Sequence, residues 1–209
     1  MRRLPLALLL IALALLPGAA PMLPWQFYAL DGERLVRVSR PAAALVAPTA
    51  EGRPPTPPDW EVTGAALADV TGDGAAEWVL LLWRPWRDWP IQRWSSLPSP
   101  IAGAHDAAGM SCHLALLDPA DGREIWVGSA LPAPLSALAV GDVDGDGTDE
   151  VVTLEGRYPA GRTAPATHVD VWAWNGFGFT LRARSPVGTW RQLALAQNPV
   201  LGREDIAVR

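Results

Sequence analysis

The chain reads as an all-β protein: a small β-propeller-like repeat of about three four-stranded blade units, two of them carrying acidic loops of metal-binding type. Three observations lead there. After the N-terminal apolar run no stretch keeps a helical period; short apolar or alternating runs are separated by Gly, Pro, Asp and Asn turns. Hairpin signals recur, each a pair of such runs around an Asp-Gly or Asn-Gly step. An acidic loop, together with its strand-like flanks, appears twice with a spacing of 73 residues, which marks a repeat unit.

Taken in order, residues 26–30 and 33–38 form a hairpin around Asp31-Gly32, whose turn suits type I′. Residues 41–59, rich in Ala and Pro, read as an extended connector. A full unit follows over 62–128: strand, acidic loop, strand, long connection, then a hairpin through Asp118-Pro-Ala-Asp-Gly122. The next unit covers 135–184 and ends in a hairpin around Asn175-Gly176. Residues 191–196 and 204–208 resemble the first half of a further unit whose loop has lost its aspartates. Four-stranded units repeated radially are the plan of a propeller. The half units at the two ends would complete one sheet between them. A closed ring is expected over an open stack, because exposed sheet edges invite self-association.

In the second loop Asp142, Asp144, Asp146 and Glu150 stand at offsets 0, 2, 4 and 8, with the Thr148 carbonyl at offset 6. Alternate residues of a tight turn converge, Gly145 and Gly147 permit the turn, and hard oxygen donors at this spacing suit Ca²⁺. The first loop repeats the layout with Asp69, Thr71, Asp73, Ala75 and Glu77. Thr71 puts a hydroxyl where the other copy has a carboxylate, so this loop is expected to bind calcium more weakly or not at all.

The N-terminus joins Arg2 and Arg3 to an apolar run and a small-residue end, with Gly18 and Ala20 at the −3 and −1 positions. Residues 1–20 therefore read as a secretory signal peptide, leaving 21–209 as a single domain in a secreted or periplasmic setting. Only an uncleaved signal would tether the chain to a membrane. Removing Arg2 and Arg3 takes the net charge from −5 to −7, and this balance argues against a nucleic-acid surface. All 17 basic residues are arginine. Cys112 stands alone in an apolar run and reads as a small buried hydrophobe.

No catalytic residues are assigned. The three histidines, His105, His113 and His168, lack the spacing of a helical zinc site. Cys112 and His113, neighbours on a strand, would face opposite ways. Ser111 with His105 and Asp106 can be drawn as a triad, but nothing around Ser111 resembles a nucleophile elbow. Tryptophan is abundant, at eleven residues. Trp86, Trp89 and Trp94 lie with Arg87 and Arg93 in a polar, proline-bearing insertion over 84–111, a combination that binding surfaces use. The competing reading is that these tryptophans fold back and cap the core.

The second loop, preceded by Ala-Leu-Ala-Val-Gly and followed by Val-Val-Thr-Leu, resembles the FG-GAP/VCBS-type repeats of integrin α-subunit propellers and many bacterial exported proteins. The first loop is similar to a degenerate member, and residues 172–179 to the later hairpin of such a repeat. The resemblance implies Ca²⁺ held between the first two strands of a blade by Asp142, Asp144, Asp146, the Thr148 carbonyl and Glu150. It fixes no activity. The expected function is a secreted, calcium-binding, non-enzymatic scaffold or binding module, contacting an extracellular or envelope protein or a carbohydrate. The alternatives are a metal-dependent extracellular hydrolase and a purely structural envelope protein.

Overall fold

A computed structural model describes residues 23–40, 45–46 and 54–209. The expected signal peptide, and residues 41–44 and 47–53 of the expected connector, lie outside the described residues. Strand β1 (Gln26–Asp31) turns at Gly32, with φ of +58°, into β2 (Arg34–Val38), as the Asp-Gly step requires. The short β3 (Leu45–Val46) lies within the stretch read as connector and pairs with a sheet instead. Next come β4 (Glu61–Ala68), β5 (Glu77–Pro85), β6 (Met110–Leu117) and β7 (Glu124–Val127). Then follow β8 (Leu135–Gly141), β9 (Glu150–Glu155), β10 (His168–Trp174) and β11 (Phe179–Arg184). The series ends with β12 (Leu193–Asn198) and β13 (Arg203–Val208). Two 3-10 turns, Pro90–Arg93 and Tyr158–Ala160, are the helical elements among the described residues.

The strands form three antiparallel sheets with the orders β4-β5-β6-β7, β8-β9-β10-β11 and β2-β1-β13-β12-β3. In the third sheet β1 pairs directly with β13, Gln26 opposite Val208, so the two ends of the described chain share one sheet. The period-2 alternation of strands sorts the core. On β5, Val79, Leu81 and Trp83 join a cluster with Leu135, Leu138 and Val151 of the second sheet. Their neighbours Trp78, Leu80 and Leu82 pack with Trp60, Ala115 and Leu117 on the opposite face. The second sheet is likewise covered twice: Val152, Leu154, Val169 and Val171 pack with Leu30, Leu195, Ile206 and Val208 of the third. Gly64 of β4 allows the close approach to β8. A Cβ there would lie 3.2 Å from Leu138 Cβ and 3.3 Å from Leu81 Cβ.

The all-β expectation and the hairpins hold, but the propeller-like expectation does not. The sheets are separate and open, each with two outer strands, and none closes or curls into a propeller blade. Hydrophobic clusters join the first sheet to the second and the second to the third. Among the described residues no cluster joins the third to the first, so no ring forms. The expected closed ring and FG-GAP/VCBS propeller repeat are corrected accordingly. A repeating strand order dictates which strands pair within a sheet, but not the angle at which successive sheets pack. No described helix is long and apolar enough to cross a membrane.

Candidate metal loops and a tryptophan-lined cleft

The connections β4–β5 and β8–β9 have the same local architecture, built from the same residue types. Asp69 Oδ1 and Oδ2 accept the N–H groups of Gly72 and Gly74, each at 2.8 Å. Asp142 Oδ1 and Oδ2 accept those of Gly145 and Gly147 at 2.6 and 3.0 Å. These glycines have φ of +72° and +88° in the first loop and +88° and +92° in the second, values that side-chain-bearing residues rarely adopt. Asp73 and Asp146 each cap the N–H two residues on at 2.8 Å. Glu77 and Glu150, the first residues of β5 and β9, reach back to the N–H of Val70 and Val143 at 3.2 and 3.1 Å.

These turns gather negative charge. One carboxylate oxygen each from Asp142, Asp144 and Asp146 lie within 4.8 Å of one another, as do oxygens from Asp69, Asp73 and Glu77. Both groups can hold a divalent cation, and their hard, anionic oxygen donors fit one. The first loop, expected to be the weaker, thus assembles three carboxylates by recruiting Glu77 in place of the missing acid at Thr71. The Thr71 hydroxyl donates to Glu77 Oε1 at 3.0 Å. In the second loop Glu150 stands apart from the trio. Burial, then the carboxylates of Asp144, Asp146 and Asp142, push its pKa up to about 7 against the Val143 N–H. Burial also raises Glu77. Arg182 Nη2 approaches Asp144 Oδ2 at 3.6 Å.

The loops interlock. The Asp69 N–H donates to Asp149 Oδ2 and the Asp149 N–H to the Asp69 carbonyl, both at 3.1 Å. A tie recurs one sheet further on, where the Glu204 N–H donates to the Asp142 carbonyl at 2.8 Å. The β12–β13 turn carries no such acids; there Arg203 Nη1 reaches the Asp144 carbonyl at 3.5 Å and the Leu30 carbonyl at 3.0 Å.

At the opposite end of the first sheet the insertion leaves β5 after Pro85 and returns at Met110, so its free span is 86–109 within the expected 84–111. Together with the strand ends it walls a cleft of about 980 Å³. Trp86 and Trp89 line it, as do Arg87 and Arg93. Trp94 does not, and is 80 % exposed. Trp86 is partly buried against the core, with Nε1 donating to the Ile101 carbonyl at 3.0 Å. Trp89 Nε1 donates across the cleft to Ser129 Oγ at 3.2 Å. Trp60, Arg84, His113, Glu124 and Ser129 also line the cleft and were absent from the expected binding set. Arg84 is the first residue of the expected insertion and stands beside these tryptophans in the sequence. The others arrive through strand pairing, which leaves no local signature.

The candidate catalytic groups are dispersed. His105 packs on Trp86 and bonds the Asp106 carbonyl, while His168 faces Glu155 at 3.8 Å. Ser111 turns away from both: its hydroxyl donates to His113 Nε2 at 2.7 Å, and His113 Nδ1 donates to the Gly128 carbonyl at 2.9 Å. Ser111 is wholly buried. Burial, helped by Arg84, pushes the His113 pKa down to about 4 and keeps the ring neutral. Cys112 points into the core on the other face, where burial pushes its thiol up to about 12 and leaves it unreactive.

No family model, curated protein or solved structure matches this chain. The resemblance to FG-GAP/VCBS repeats therefore stops at the loop residues themselves, and the propeller and repeat-family terms that came with it are withdrawn. What the loops can do rests on their own carboxylates.

Proposed function

We propose that the protein is an exported, calcium-stabilised, non-enzymatic binding module. The observation that carries the reading is the pair of acidic loops, each gathering three carboxylates and each tied to the next sheet by hydrogen bonds at its first aspartate. A dication there would cancel repulsion at the points where the sheets meet, coupling metal binding to folding. The ligand set proposed for the second loop is Asp142, Asp144, Asp146, the Thr148 carbonyl and Glu150. For the first it is Asp69, Asp73 and Glu77, with Thr71 and the Ala75 carbonyl beside them. Ca²⁺ is favoured over softer metals because every donor is an oxygen. The leader at 1–20 supports a setting outside the cytoplasm, where millimolar calcium suits such sites. The insertion supplies the face for a protein or carbohydrate partner.

Metal content and thermal unfolding test this together. At a calcium concentration of about 100 Kd, stabilisation of about 2.7 kcal/mol over the EGTA-treated protein is expected. Asp142→Asn with Asp144→Asn should abolish most of it. Thr71→Asp should raise affinity or stoichiometry while lowering the stability of the metal-free protein, since it replaces a hydrogen bond to Glu77 with a like charge. Unchanged midpoints with calcium and EGTA, and no bound metal by elemental analysis, would overturn the reading.

A further inference from the structure

We infer that the tryptophan-lined cleft takes a saccharide bearing a carboxylate, with Arg84 as its anchor. The inference rests on the proposed binding-module role and names the ligand class.

Arg84 is an unusual cation for this chain. It is only partly exposed, on β5, yet among the described residues no carboxylate lies within 4.0 Å of it. Its contacts orient it without neutralising it. Nε donates to His113 Nε2 at 3.3 Å, Nη2 reaches the Gly128 carbonyl at a marginal 3.5 Å, and Cζ lies 5.9 Å from the Trp60 ring centre. Desolvation lowers its pKa, and Arg87 adds to this, while Glu124 and Asp59 oppose it only from a distance. Among the other partly buried arginines, Arg40 is matched with Asp205 and Arg162 with Glu61 and Asp106, while Arg203, which like Arg84 has no described carboxylate within 4.0 Å, commits its guanidinium to the Leu30 and Asp144 carbonyls. A guanidinium has five donors in a planar fork suited to a carboxylate, and most of those on Arg84 are uncommitted.

The walls name the rest of the ligand. Trp60, Trp86 and Trp89 line the same cleft; Trp60 is buried and Trp86 partly buried, so Trp89, held by its indole N–H on Ser129 Oγ, offers the exposed ring. A fixed indole beside scattered polar groups fits a ligand that is flat and apolar on its faces and hydroxylated around its edge. Glu124 and Ser129 are available to those hydroxyls. The cleft volume is at the upper end of that found for small-molecule sites and accommodates a short oligosaccharide.

The test uses the full mature chain with calcium present. Calorimetry and tryptophan fluorescence would follow binding of hexameric oligogalacturonate, its methyl ester, and hexaglutamate. The ester keeps the rings and loses the charge; the peptide keeps the charge and loses the rings. Expected are binding of the acid, weakened by salt, and at least about tenfold weaker binding of the ester and of the peptide. Arg84→Met should cost the acid about tenfold or more and bring it level with the ester. Trp89→Ala, at the cleft rim, should weaken acid and ester alike, with both variants keeping the wild-type unfolding midpoint. Should Arg84→Met misfold, the acid-to-ester ratio on the wild type decides alone. Equal binding of acid and ester, equal binding of hexaglutamate, or no binding of the acid overturns the inference. Calcium stabilisation that persists alongside any of those results leaves the binding-module reading standing, so the two fail separately.

Discussion

His113 is held neutral between Ser111 and Gly128, buried and beside a guanidinium, and this has a definite effect on stability. Its pKa falls from 6.5 to about 4 on folding, so between those values the unfolded chain binds a proton that the native chain refuses. Stability is therefore lost as pH falls through that window, by about 3 kcal/mol when the window has been crossed. His113→Gln should flatten this acid arm relative to wild type in urea unfolding measured from pH 7 to pH 4. An unchanged difference across that range would show that the ring carries no such load. The sequence put His113 on a strand opposite Cys112, and the core on one side and the cleft on the other bear that out. The same alternation puts Ser111, two residues before His113, on its face, but the Gly128 carbonyl that takes the other ring nitrogen arrives through the fold and has no local signature.

The strands were legible because alternation and turn residues are local signals. In the β8–β9 loop the spacing of alternate residues anticipated that Asp142, Asp144 and Asp146 gather, but not that Glu150 would turn to the Val143 N–H and stand apart from them. The latches between loops could not be read, because they join residues 80 apart, such as Asp69 and Asp149, largely through backbone groups that every residue type possesses. Gly64 is a case where an element's sequence encodes a contact with another element. The nearest atoms to its absent side chain are Cβ atoms of Leu138 and Leu81, both on strands and unable to rotate away. Gly64→Ala should destabilise the protein by about 1–3 kcal/mol by forcing β4 and β8 apart. Gly147→Ala is a different test, since there φ of +92° and not crowding is the obstacle. A Gly64→Ala variant that melts with wild type would mean that the two sheets slide freely at this point.

At the scale of the molecule, composition and period announced an all-β chain, whereas the mutual placement of three sheets was beyond reach. Buried faces on both sides of β5 and of β9 reveal that a sheet is sandwiched, but alternation alone does not say by which partner. The pairing of β1 with β13, reinforced by Arg209 stacked 4.6 Å from the Trp25 ring centre, brings the two ends within a short turn of each other. A circular permutant joining Arg209 to Trp25 through Asn-Gly and opened at the exposed Phe177 should fold, with a melting midpoint within about 5 °C of the parent. Failure to fold under calcium would mean that the order of chain growth, and not proximity alone, is needed. That order carries its own consequence. The β1–β2 hairpin is among the earliest strands made, yet its partner strand is synthesised only after both other sheets have been completed. Until then one edge of β1 is bare, and the waiting time is set by the length of chain between them. A polypeptide interrupted before residue 203 would hold two finished sheets and an orphan hairpin, offering proteases and chaperones a clear mark of an unfinished product.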